Sequence, residues 1–230
     1  MAALLSLWPI SAWAAAATTT ALAPRTLSLP IGRLQLPVPV TGDVRYRIRD
    51  GQAEMDGRIA ADLAEFQQQA PAVLAVLLDH RQPCGDRLSV RDGHLGARTA
   101  ALLVVATIDY GRTACIGGQE LKILPRSQYE IELLLHPVVS ARSLRMRSEV
   151  LRLVRRDGPL PVAVDAPLRQ MLARLVDERI GELFPSGTVP PDLALKSLSF
   201  TDAGTGRLVA RIEAAGVVPQ SALERLLDRR

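Results

Sequence analysis

Asp165-Ala166-Pro167-Leu168-Arg169-Gln170-Met171-Leu172-Ala173-Arg174-Leu175-Val176-Asp177-Glu178-Arg179-Ile180-Gly181-Glu182-Leu183 is the stretch on which the reading of the fold turns. Leu168, Met171, Leu172, Leu175, Val176, Ile180 and Leu183 recur at helical spacing and form one apolar stripe. Arg169, Arg174, Asp177, Glu178 and Arg179 fall largely off it. Pro167 sits in the first turn, where proline is tolerated, and Pro185-Ser186-Gly187 ends the helix.

Both flanks read as strands. Downstream, Leu193 to Phe200 and Leu208 to Glu213 alternate and are joined by Asp202-Ala203-Gly204, a hairpin signal. Ser221 to Leu227 closes the chain as a short helix. Upstream, Val138 to Val154 alternates and then shifts phase near Ser148, which predicts a bulge or a sharp bend. Tyr129 to Leu135, Leu121 to Ile123 and the long extended segment Leu95 to Tyr110 precede it, with turns at Gly117-Gly118 and Asp92-Gly93. A helix of about ten residues from Ala60 breaks near Gln69, because Pro71 cannot continue it, and a second short helix or strand then leads to Cys84. Before it, Val44, Tyr46 and Ile48 alternate with Arg45, Arg47 and Arg49 up to Asp50-Gly51, a strong hairpin turn. Strands segregated from helices predict an α+β fold. The expected form is a long, curved antiparallel sheet wrapped on one long amphipathic helix, with shorter helices.

The first sixteen residues set the expected compartment. Met1 to Ile10 is apolar, and Ser11 to Ala16 ends in small residues at Ala-x-Ala spacing, which reads as a secretory signal peptide over residues 1–14. Residues 15–26 read as a flexible, Thr-rich leader, and 27–230 as a single α+β domain. No later run is long and apolar enough to suggest a transmembrane span, and no cysteine near the cleavage point suggests a lipid anchor. The expected location is therefore periplasmic or secreted. There, Cys84 and Cys115 read as a disulfide closing a loop of about 30 residues.

Composition narrows the chemistry. Aromatic residues make up only 3% of the chain, so the core must be aliphatic and few rings remain to stack on bases. With export, this argues against nucleic acid as a partner. The net charge of +4 is carried almost wholly by arginine, since Lys122 and Lys196 are the two lysines. Arg145 and Arg147 share a strand face and Arg152 follows, so these three are candidate anion contacts. Alternatively they form a solvated face that resists edge pairing. There is no Gly-x-Ser-x-Gly elbow, Walker loop or His-Glu-x-x-His, so no catalytic residue is nominated and the protein reads as a non-enzyme. His80 and His94 do not stand at a standard zinc spacing from the cysteines, and neither a metal nor a cofactor is expected.

The close of the chain carries a family likeness. Leu183-Phe184-Pro185, Pro190-Pro191-Asp192-Leu193, Leu195-Lys196-Ser197-Leu198-Ser199-Phe200 and Gly206-Arg207-Leu208-Val209-Ala210 run as helix, proline loop, strand, turn and strand. With the long strands and one long helix before them, they resemble the tubular lipid-binding (TULIP) superfamily, most closely its small bacterial envelope members. The resemblance implies a curved sheet around a long helix, a hydrophobic groove for lipid, and no catalysis. It transfers no individual residue.

The expected function is binding of a lipid or other amphipathic ligand in an apolar groove. Leu168, Met171, Leu172, Leu175 and Val176 are its candidate lining. The alternative is a non-catalytic structural or interaction protein of the cell envelope with a fully packed core and a protein partner. A hydrolase with an unrecognised site stands third.

Overall fold

Asp50 and Gly51 both take positive φ, 50° and 74°, as the tight turn between two long strands requires. The strands it joins are β2 (Leu34–Arg49) and β3 (Gln52–Asp62), paired from Arg49 opposite Gln52 outward. The computed structural model describes residues 17–117, 119–140, 143–156, 162–183 and 192–228. The expected signal peptide and the proline loop at 184–191 lie outside these residues. β1 (Thr18–Ile31) pairs antiparallel with β2, so residues 18–26, expected as a flexible leader, are strand.

The described residues form two five-stranded antiparallel sheets. The first has the order β1-β2-β3-β10-β9, with β9 at Leu193–Asp202 and β10 at Leu208–Pro219. The second runs β4 (His80–Arg81), β5 (Asp86–Arg98), β6 (Ala101–Ile116), β7 (Gln119–Ser140) and β8 (Ser143–Arg155). Four helices accompany them: α1 (Ala64–Gln68), α2 (Ala70–Leu78), α3 (Val162–Leu183) and α4 (Gln220–Asp228).

This overturns the expected fold class. The chain is mostly antiparallel β, in two sheets with one half-barrel, rather than one sheet wrapped on a long amphipathic helix. The reason lies in α3 itself. It begins at Val162, which puts Pro167 inside the helix instead of at its first turn, and its buried face packs into the interior between the sheets rather than serving as a rod for one sheet to wrap. It packs on β8 and α2 and covers one side of one sheet.

Local differences have local causes. Leu95 to Tyr110, expected as one strand, turns back at Thr99 and Ala100, both at positive φ (49° and 65°). Neither residue favours that conformation in isolation. The turn is held from outside, by Phe200 N–H donating to the Ala100 carbonyl at 3.0 Å. Asp92-Gly93, expected as a turn, stays within β5 beside a register shift. The helix expected from Ala60 is shorter, because Ala60 to Asp62 belong to strand β3; α1 stops at Gln69 as expected, and Pro71 lies in the first turn of the separate helix α2.

One apolar interior joins the sheets. Leu74 and Leu78 of α2 and the buried face of α3 meet Leu88, Leu95, Val104, Ile108, Ile131, Leu133 and Leu153 of the second sheet. Phe200, Leu208 and Ala210 of the first sheet belong to the same cluster. Each fully buried leucine contributes roughly 1.5–3 kcal/mol.

The seam is pinned by Gln67. Its Nε2 donates to the carbonyls of Leu95 and Gly206, each at 2.9 Å, and its Oε1 accepts from Leu208 N–H at 2.9 Å. One amide thus spans β5 of one sheet and the start of β10 in the other. Gln67→Ala leaves these backbone groups without that partner and should cost about 2–4 kcal/mol. Denaturant unfolding measures it, and an unchanged midpoint would show that the clamp carries no stability.

Candidate functional site

The α3 residues expected to line a groove are core. Leu168 and Leu172 are fully buried, and Met171, Leu175 and Val176 nearly so, all within the main apolar cluster. The side chains of Ile180 and Leu183 lie outside the described residues.

Open apolar space lies elsewhere, between α4 and the first three strands. A trough of about 410 Å³ is lined by Leu22 and Leu27 of β1, Val40 of β2, Ile59 of β3, and Ala222 and Leu227 of α4. Two cations border it, Arg25 and Arg225. Strand register explains the arrangement. Leu22 pairs with Gly42 and Arg25 with Val40, so two residues of β1 stand opposite one of β2. This bulge reverses the in–out alternation. Arg25 is thereby brought to the face carrying Leu22 and Leu27. α4 forms the other wall. Gln220 N–H donates to the Gly51 carbonyl at 3.0 Å, and Leu223 is buried against Val44 and Ala53. Leu27 is left 50% exposed at the rim.

The candidate anion contacts on β8 form a mixed face. Arg145 and Arg147 are exposed, opposite Val138 and His136 of β7. Arg152 pairs with Glu130 at 3.1 Å, and Arg156 approaches the same carboxylate at 3.9 Å. Glu149 lies 3.1 Å from His136. The carboxylates interleaved with this strip dilute its charge. Among the described residues, no group of three His, Cys, Asp or Glu side chains is placed to hold a metal ion.

Cys84 and Cys115 form the expected disulfide, with Cα atoms 5.5 Å apart. It ties the turn before β5 to the end of β6. Beside it Tyr110 is buried, with its ring edge-on to Tyr129 at 6.0 Å between centroids. The Tyr110 hydroxyl donates to Asp86 Oδ1 at 2.7 Å. Burial, and then the Asp86 carboxylate that accepts its proton, push the Tyr110 phenol well above its ordinary value.

The chain matches no protein-family model, and no curated protein sequence matches it.

Two outcomes follow for this corner. Cys84→Ser should lose roughly 3–4 kcal/mol, a fall in melting temperature of about 6–16 °C for a domain of this size. A melting temperature equal to that of the oxidised wild type would show that the bridge adds no stability. Because the Tyr110 phenol is raised in the fold, its contribution is complete below the unfolded value of about 10 and is lost as pH rises beyond it. Thermal unfolding should show a loss of stability above that pH that is smaller in Tyr110→Phe; equal alkaline losses would refute the assignment.

Proposed function

We propose that this chain is an exported, non-catalytic protein that binds a single-chain anionic lipid, its tail in the α4 trough and its head group against Arg25 and Arg225. The observation that carries the reading is the pairing of an apolar trough with two bordering guanidinium groups. A fatty acid or lysophospholipid has the complementary form, and guanidinium grips carboxylate and phosphate in a bidentate manner. The volume falls within the roughly 300–1,000 Å³ usual for small-ligand sites. The half-exposed Leu27 gains burial when a chain occupies the trough.

Export supports the same reading. The disulfide belongs to an oxidising compartment. The first sixteen residues have the character of a signal peptide.

A second reading, an envelope interaction protein, is favoured by the exposure of Val138, Leu151 and Val154 on β7 and the edge strand β8. The two separate on ligand binding. A fluorescent long-chain fatty acid should bind the purified protein saturably and be displaced by myristate. Arg25→Glu and Arg225→Glu should each weaken it roughly tenfold, about 1.4 kcal/mol, and Leu27→Asp comparably. Absence of saturable binding to folded wild type would end the lipid reading and leave the interaction protein.

A further inference from the structure

A second pocket lies at the opposite kind of chemistry, beside the disulfide. It encloses about 690 Å³, and four arginines line it: Arg81, Arg87, Arg112 and Arg126. They come from four consecutive strands, β4, β5, β6 and β7. No acidic side chain is found among the described residues that line it.

Three of these four guanidinium groups are held in place. Arg126 contacts Ser89 Oγ and lies 3.1 Å from Asp109, a buried carboxylate that Arg91 also grips at 2.6 Å. Arg112 lies 3.6 Å from Asp86, which is itself fixed by the Tyr110 hydroxyl. Arg87 donates to the carbonyls of Gln82 and Pro83, at 3.3 and 3.2 Å. Arg91 and Arg126 thus share Asp109 and Arg112 approaches Asp86, so three guanidinium groups are anchored on two carboxylates, and Arg81 adds a further cation to the concave site. Field lines focus in such a cleft. Holding the side chains in advance also lowers the ordering cost of binding.

The backbone is shaped to bring them together. The β6–β7 register shifts twice near Arg112. Gly111 permits the close approach there, since a Cβ would stand 3.2 Å from Arg126 Cα and 3.3 Å from the Leu124 carbonyl. The Gln82–Gly85 wall is pinned by the disulfide and by Thr113, whose N–H donates to the Gly85 carbonyl at 2.9 Å and whose hydroxyl donates to the Pro83 carbonyl at 3.2 Å.

We infer that this pocket is an anion site that takes a phosphate-bearing group through Arg81, Arg112 and Arg126. It is independent of the α4 trough and stands whether or not lipid binds there. Two sources share the chemistry, a soluble phosphate ester and a phospholipid head group.

The test uses the oxidised full chain. Calorimetric titration with inorganic pyrophosphate should give saturable binding that falls steeply with added salt. Arg112→Gln and Arg126→Gln should each weaken it by roughly ten- to a hundredfold, the range for a charged hydrogen bond. Arg81→Gln, on an exposed side chain of the short β4, should weaken it without altering the melting temperature. The double variant Arg145→Gln, Arg147→Gln should bind as wild type. Pyrophosphate binding without retention on phosphatidylcholine vesicles containing phosphatidylglycerol assigns the soluble source. Retention on those vesicles, lost in Arg112→Gln and Arg81→Gln and absent on pure phosphatidylcholine, assigns the head group. Failure of both probes with folded wild type overturns the proposal. So does binding that the pocket substitutions leave intact.

Discussion

Everything in this fold depends on two sheets sharing one aliphatic interior, and that interior closes where Gln67 joins Leu95 to Gly206 and Leu208. A chain with so few aromatic rings cannot fill space with single large residues. It fills it with many small contacts from α2, α3 and both sheets. Backbone polar groups caught at such a seam need partners, and one side-chain amide serves three of them. The pairing of Phe200 with Ala100 belongs to the same junction. There the β5–β6 turn takes a backbone shape its own residues do not favour, because the other sheet supplies the bond that holds it.

The distribution of helices then decides where ligand space can exist. α3 faces β8 and α2, and α2 faces β5. The first sheet is covered at one end by α1 and α2, with Val73 against Ile31 and Leu36. At its other end, among the described residues, it is met by the nine-residue α4. A short helix cannot cover the face of five strands, so a trough remains beside it. The same apolar stripe that suggested a groove along α3 is what closes the interior there.

Local chemistry was legible in the sequence and long-range chemistry was not. Asp50-Gly51 was readable because both residues tolerate positive φ, and the turn follows from them. The disulfide was readable from two cysteines and an export-type leader. Thr99-Ala100 was not, because its determinant is Phe200, a hundred residues away. Asp92-Gly93 carries a turn signal, yet its neighbours pair across to β6 and the glycine is absorbed beside a bulge. Gly93 also has Leu74 of α2 pressed against it, a packing role that looks like a turn signal in sequence. The α3 stripe marked burial correctly but could not say against what. That distinction separates core from groove, and it separates one wrapped sheet from the two observed.

The arginines show the same limit from the side of function. A linear run near Arg145 attracts attention because its members are close in sequence. Placed on a strand face next to β7, it meets Glu130 and Glu149 and is largely a mixed-charge surface. Arg81, Arg87, Arg112 and Arg126 are scattered over more than forty residues and draw none. Antiparallel pairing brings them to one corner, and the Cys84–Cys115 bridge marks that corner in the sequence, since it joins the segments flanking Arg87 and Arg112. A disulfide between two strand ends fixes which residues on those strands face each other across a turn. Cations that sit just inside such a bridge are therefore the ones whose spacing the fold holds rigid. Rigid spacing, more than density along the chain, is what lets a set of guanidinium groups recognise one anion.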